Sequence, residues 1–181
     1  MKYQSIVFSG LPGAGKSTLV ARLKEIYGWP VLSVGDLWCQ RWAKLYPNKE
    51  ISFEEYWRAT STEDNRQVNV DFREQAAKNH LLGDSRYTIY LKDLPILLIF
   101  LTADLDTRAQ RGAGLAKYNG SSEKEIKDIL YRREADEVAA GKRLFGYDYR
   151  DSANYHLIFN TALISQEEEI AIIKTLIPVS S

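Results

Sequence analysis

Cysteine is nearly absent from this chain: of 181 residues, only Cys39 carries a thiol. One thiol makes no bridge and no four-ligand zinc site, so neither disulfides nor a structural metal holds the fold. Neither is needed, because a chain of this length buries roughly two thirds or more of its unfolded surface. Net charge is missing as well, with 24 Lys and Arg standing against 24 Asp and Glu. That balance removes the electrostatic footprint of a general DNA or RNA binder, and no nucleic-acid partner is expected. Long apolar runs are lacking too. The longest, residues 94–101, is interrupted by Pro95 and falls far short of the roughly 20 residues a membrane span requires. There is no cleavable signal pattern, no internal repeat, no low-complexity tract and no dividing linker. The expectation is a single cytoplasmic domain over residues 1–181, monomeric and without a membrane partner.

What is present alternates. Residues 3–9 are rich in Ile, Val and Phe and stop at Gly10, as a short buried strand does at a turn. Leu19, Val20, Leu23 and Ile26 mark one face of a helix over 16–27 that closes at Gly28. Residues 30–34 suit a second strand, and Gly35-Asp36 opens a helical stretch through Tyr46, ended by Pro47. Ser52 and Glu55 form a capping box, and helices continue to about Asn79. A weaker strand at 80–84 precedes a strong one at 96–102, which is apolar on both faces and suits the centre of a parallel sheet.

A helical pattern over 104–111 and a loop over 112–120 come next. A charged helix then runs from Ser121-Ser122 to about Lys142. Without a wide apolar stripe, that helix reads as solvent-bridging or as a mobile arm. A last strand at 155–160 and an amphipathic helix at 166–177 complete the chain. Strands alternating with helices imply βαβ units: a three-layer α/β/α fold around a parallel sheet, here of five strands. Ligands bind beyond the carboxyl ends of such strands, at the loops after Ser9, Val34, Asp84 and Thr102.

The first of those loops reads Gly10-Leu11-Pro12-Gly13-Ala14-Gly15-Lys16-Ser17, followed by Thr18. It matches the eight-position phosphate-binding P-loop pattern between a predicted strand and a predicted helix. Glycines let the backbone turn its N–H groups inward, where they and the helix amino terminus attract phosphate oxygens. Lys16 is expected to bridge the β and γ phosphates of ATP, and the Ser17 hydroxyl to ligate Mg²⁺. The chain is too short for a motor or helicase core and lacks an Asn-Lys-x-Asp guanine-reading motif. Ser33-Val34-Gly35-Asp36 lies just after the second strand, where an acceptor should sit, and residues 108–143 are rich in arginine. Phosphoryl transfer chiefly needs positive groups around the moving phosphoryl, so a kinase acting on a small molecule is expected.

Further motifs extend over nearly the whole chain. They include Ser-Val-Gly-Asp-Leu at 33–37, Asp71-Phe72-Arg73, Asp84-Ser85-Arg86 and the strand and Arg-Ala-Gln-Arg of 98–111. Arg132-Arg133-Glu134, Phe145-Gly146-Tyr147-Asp148, and residues 155–161 with Ser165 continue the series. With these the sequence resembles a nucleoside monophosphate kinase of the P-loop superfamily, most similar to the short archaeal-type cytidylate kinases. The resemblance implies transfer from Mg-ATP to a small nucleotide acceptor, CMP or dCMP. It also implies a lid at about 112–143 and a helical acceptor-binding insertion at about 36–79. Two departures stand out. Where the family has an arginine gripping the acceptor phosphate this chain has Cys39, with Arg41 two residues on, about 200° around a helix. A second family arginine falls at Ala140, with Arg143 nearby.

Each candidate residue has a structural alternative beside its functional role. Arg86 is assigned to the acceptor, against a surface arginine paired with an acid. Asp36 orients the acceptor or caps a helix. Asp84 is a metal ligand or base, against a turn residue. Arg41 is assigned to the acceptor, but it replaces the missing arginine only with a shift of the helix, and Arg143 is the other residue that could compensate. Arg111 and Arg133 are expected as catalytic lid arginines against donor phosphates, since a planar guanidinium matches phosphate geometry. Arg108, Arg132 and Arg143 are weaker candidates, as are Asp71 and Arg73. Trp38 and Trp42 share a helix face and pack in the core or stack on a base. Cys39 is expected to be buried or half-buried, and His80 and His156 to be structural. Two rival functions remain open: a kinase for a hydroxyl of a nucleoside or other metabolite, with Asp36 or Asp84 as base, and a non-catalytic nucleotide-binding module.

Overall fold

Strand β1 (Ser5–Gly10) is buried along its whole length and has a neighbour on each side. The computed structural model describes residues 2–78 and 80–179. Asn79, at the expected end of the insertion, and the extreme ends of the 1–181 domain lie outside the described residues. From β1 the chain enters α1 (Lys16–Tyr27), β2 (Val31–Ser33), α2 (Val34–Leu45), α3 (Phe53–Ala59), α4 (Thr62–Ala76) and β3 (Leu82–Asp84). The second half holds β4 (Ile96–Thr102), α5 (Leu105–Ala113), α6 (Glu123–Phe145), β5 (Leu157–Asn160) and α7 (Gln166–Leu176). The five strands form one parallel sheet in the order β2-β3-β1-β4-β5, with Ile6 opposite both Leu82 and Leu97. The expected five-stranded α/β architecture is the one found.

Side chains of period two divide the core into layers. Ile6, Phe8, Leu97, Ile99 and Leu101 face one layer, closed by Leu19 and Leu23 of α1 and by Ile170 and Ile173 of α7. Val7, Ile96 and Leu98 face the other, closed by Trp38 of α2 and by Val68 and Phe72 of α4. Each such fully buried side chain contributes roughly 1.5–3 kcal/mol of transfer free energy. Two glycines permit close approaches that a side chain would block. At Gly10 φ is +145°, and a Cβ would lie 2.3 Å from the Leu101 carbonyl oxygen. At Gly83 a Cβ would lie 2.8 Å from both the Phe72 ring and a Val7 methyl.

Serine–acid capping boxes start α2, α3, α4, α6 and α7, satisfying otherwise orphaned N–H groups. Only the pair Ser52 and Glu55 was singled out as a box in the sequence. Helix α6 departs from expectation. It is no mobile arm, because Ile126 and Leu130 pack against Ala109 of α5 and against Tyr118, while Val138 packs beside Phe100 of β4. Its inward stripe runs through 126, 130, 134, 137 and 141, a helical spacing in which two positions are glutamates bonded to the buried Arg108 and the half-buried Arg86. Cys39 is also a correction. It is exposed, standing one residue, about 100° of turn, past the buried Trp38. Among the described residues no helix is long and apolar enough to cross a membrane.

Candidate active site

The loop between β1 and α1 is shaped by Gly13 and Gly15, at φ +83° and +91°. Lys16 lies beneath it, 8% exposed, its Nζ donating to the Gly10 carbonyl at 3.2 Å. Burial, aided by the charge of Arg86, pulls its pKa down to about 8, against the opposing pull of Asp84 and Glu137. The two carboxylates do not offset the burial of this ammonium, and phosphate oxygens would add the negative charge it needs.

Two side chains brace the loop from outside. Buried Arg108 donates from Nε to the Ala103 carbonyl at 3.0 Å, from Nη1 to the Pro12 carbonyl at 3.2 Å and from Nη2 to Glu134 at 3.1 Å. Arg108 is therefore a support of the phosphate loop. On the other flank the Thr161 hydroxyl donates to the Ala14 carbonyl at 3.1 Å. Arg111 in turn bonds both the Thr161 hydroxyl and its carbonyl, at 2.7 and 2.6 Å.

Two cavities open at the carboxyl ends of the strands, as the topology of a parallel sheet leads one to expect. The first, about 560 Å³, is lined by residues 12–18 of the loop and by Asp84, Arg86, Arg111, Leu115, Arg133, Thr161, Ile164, Gln166 and Glu169. The second, about 610 Å³, lies under α2–α4 and α6, lined by Ser33, Val34, Gly35, Trp38, Trp57, Arg58, Asn65 and Asn69 among others. Asp84, Arg86 and Arg133 line both, so the two cavities meet there.

That junction is an ion network. The Glu137 carboxylate accepts from Arg86 Nε at 2.8 Å, from Arg133 Nε at 3.0 Å and from the Tyr149 hydroxyl at 3.2 Å. Arg86 also reaches Asp84 Oδ1 at 3.5 Å. Burial works against the Arg86 charge, but Glu137 and Asp84 outweigh it and hold the guanidinium above its ordinary pKa. Burial likewise opposes the charge of Glu137, and Arg86 prevails, keeping the carboxyl below its ordinary value. Both groups are thus charged at neutral pH.

Lys16, Ser17, Thr18, Asp84, Arg86, Arg111 and Arg133 come together as expected around one cavity. Asp36 and Arg41 do not join them. Asp36 closes the capping box of α2, its carboxylate accepting from Ser33 N and its own N–H donating to Ser33 Oγ. Arg41 pairs with Asp64 of α4 at 2.9 Å and lines neither cavity. Asp71 accepts from Gln67, and Arg73 pairs with Asp93 and donates to the Tyr90 carbonyl, anchoring α4. Trp38 lines the second cavity edge-on to Trp57, whereas Trp42 donates to the Ile51 carbonyl outside it. His156 is structural, its Nδ1 accepting from Leu98 N at 2.9 Å.

Arg58, Asn65, Asn69 and Glu137 were missed as lining residues of the second cavity, and Glu169 as one of the first. The spacing of Arg133 and Glu137, four apart on one helix, was the one readable signal. Among the described residues no group of three or more His, Cys, Asp or Glu stands ready for a metal. Ser17 and Asp84 on one cavity wall suit Mg²⁺ instead, which takes one or two protein ligands and fills its shell with water and substrate phosphate.

A phosphate loop feeding α1, a parallel sheet of this order and two cavities meeting over Lys16 define the P-loop kinase fold. Structures of that fold resemble the chain across most of its length. A shikimate kinase from Bacteroides thetaiotaomicron matches at TM-score 0.57 and 14% identity, covering 96% of this chain and 98% of that one. A gluconokinase from Sinorhizobium meliloti matches at 0.56 and 15%, covering 93% and 87%. An uncharacterized protein from Eubacterium ventriosum matches at 0.70 and 17%, covering 98% and 100%. Within this fold the chain belongs to the cytidylate kinase-like family, whose model matches residues 5–163. It is similar to proteins named cytidylate kinase from Desulfurococcus amylolyticus, 31% identical over 95% of this chain and 91% of that protein, and from Methanopyrus kandleri, 27% identical over 95% and 92%.

Proposed function

We propose that the protein transfers the γ-phosphoryl group of ATP to a nucleoside monophosphate, with CMP or dCMP as acceptor. The carrying observation is the junction at Asp84, Arg86 and Arg133, where a P-loop cavity meets a second cavity of similar size in a member of the cytidylate kinase-like family. ATP occupies the first cavity with its triphosphate on the loop, and the monophosphate occupies the second. Arg58, Arg86, Arg133 and Arg143 line the acceptor cavity, and this supply of positive charge favours a phosphate-bearing acceptor over a neutral hydroxyl compound. Arg58 and Arg143 compensate for Cys39 and Ala140, a role Arg41 does not fill.

Phosphoryl transfer of this kind asks for position and charge more than for covalent help. Lys16 holds the β and γ phosphates, and its full positive charge returns as phosphate oxygens approach. Ser17 and Asp84 would hold Mg²⁺, which would supply further neutralisation of the transferring group. Arg86 and Arg133, fixed by one carboxylate, stabilise the charge spread over the transferring oxygens. Arg111, tied to Thr161, borders the donor site. The acceptor phosphate attacks as an anion and needs no strong base, so Asp84 serves the metal. Residues 112–143 act as the lid and 36–79 as the acceptor insertion, and closure of the lid would expel the water that hydrolyses ATP.

A coupled ADP-release assay with Mg-ATP tests this, run with CMP, dCMP, UMP, AMP, GMP and dTMP beside the free nucleosides and a no-acceptor control. Selective turnover with CMP or dCMP is expected. Turnover with free nucleosides alone would overturn the proposal.

A further inference from the structure

Most inward-facing carboxylates of this site have a partner: Glu137 has two arginines and a tyrosine, and Glu134 has Arg108 and Arg150. Glu169 has neither a hydrogen bond nor an ion pair among the described residues and feels only the more distant charge of Arg111. It lies in the first turn of α7, 4% exposed, and its Oε1 is buried without a hydrogen bond. The neighbouring Glu168 closes the helix's capping box, so Glu169 is not needed as a cap. Burying an acceptor without a donor costs about 1–3 kcal/mol, and more for an ion. Such a group calls for a partner that the described residues do not supply.

The place of Glu169 says which ligand. It lines the first cavity together with Ile164, Leu115 and Thr161, and it follows β5, which two strands of the sheet separate from β3, whose last residue, Asp84, marks the junction end. A nucleotide with its γ-phosphate at Asp84 and Arg86 and its β-phosphate on the loop must extend its base toward the β5 side. Arg111, held by two bonds to Thr161, borders the same space, and Ile164 and Leu115 offer apolar surface to a ring.

Resting on the phosphotransferase reading of this cavity, we infer that Glu169 is the donor-base specificity residue. Its carboxylate accepts a hydrogen bond from the 6-amino group of the adenine of ATP. Burial pushes its carboxyl up to about 7 against the pull of the Arg111 guanidinium, as an ion without a donor should behave. An amino group brought to it would offset the missing bond, whereas a 6-oxo base would set oxygen against oxygen.

Titration calorimetry at pH 8, without acceptor, tests this independently of turnover. The ligands are ATP, purine riboside triphosphate, which lacks the amino group, and GTP, against the wild type, Glu169→Gln and Glu169→Leu. Wild type is expected to bind ATP roughly tenfold or more tighter than purine riboside triphosphate, the size of one bond to an ionised group. Glu169→Leu should erase that ratio by weakening ATP alone, and Glu169→Gln, which keeps an acceptor oxygen, should retain part of it. Equal binding of the two ligands by wild type overturns the inference without any variant. So does a ratio unchanged in folded Glu169→Leu, or a preference for GTP that the substitution removes. Loss of the CMP kinase reading shows separately, as absent turnover despite intact donor discrimination.

Discussion

Lys16 keeps its charge where water hardly reaches, and that has a stability cost beside the phosphate-holding role proposed for it. Its pKa falls from 10.5 unfolded to about 8 folded, so the native state binds the lysine proton less well. Below pH 8 the full penalty is present, and it fades as pH rises from 8 to 10.5, where the unfolded lysine also loses its proton. Lys16→Met, of similar length and uncharged, is therefore expected to raise the melting temperature at pH 7 and to give a smaller gain at pH 10. The same substitution should lower phosphoryl transfer by roughly 10²–10³-fold or more, since it removes a charge aimed at the reacting phosphates. Thermal melts at the two pH values and a single-turnover assay check both halves. Lys16 was legible because its signal is local, eight consecutive residues between a strand and a helix. Arg58 was not, because it reaches the second cavity from a short helix whose place beside Arg86 and Arg133 is set by tertiary packing. Asp36 shows the reverse: a serine three residues before an aspartate is the signature of a capping box, and the local bond won over the ligand.

At the scale of elements, α6 does two tasks with one stripe. Its upper half, Ile126 and Leu130, fastens α5, while Glu134 and Glu137 in the lower half hold Arg108 under the phosphate loop and Arg86 and Arg133 at the junction. A hydrophobicity pattern registers only the first, which is why the helix read as a polar arm. Removing one partner of the inward pair should be far worse than removing both. Glu137→Ala leaves the Arg86 guanidinium largely desolvated with only Asp84 at 3.5 Å, and on the order of 3 kcal/mol of stability should be lost. The double variant Glu137→Leu with Arg86→Met should recover much of that stability while remaining inactive. Urea denaturation of wild type, the single variant and the double variant measures this; equal loss in single and double variants would deny the pair its structural part.

Across the whole molecule, the order β2-β3-β1-β4-β5 puts the carboxyl ends of β1, β3 and β4 side by side. The phosphate loop, Asp84 with Arg86, and the start of α5 with Arg108 thereby share one edge of the sheet. This much follows from alternating apolar strands and helices, and the sheet was legible from them. The meeting of two cavities was not, since their shared wall comes from β3 and from α6, far apart in sequence. On the proposed function a phosphoryl group passes across that wall. Phosphorus-31 NMR of the protein with Mg-ATP and CMP follows every phosphate at once. The expected result is the paired resonances of CDP growing with those of ADP as the CMP signal falls. Inorganic phosphate alone, or a new phosphate ester with the CMP phosphate unchanged, would contradict transfer to the monophosphate.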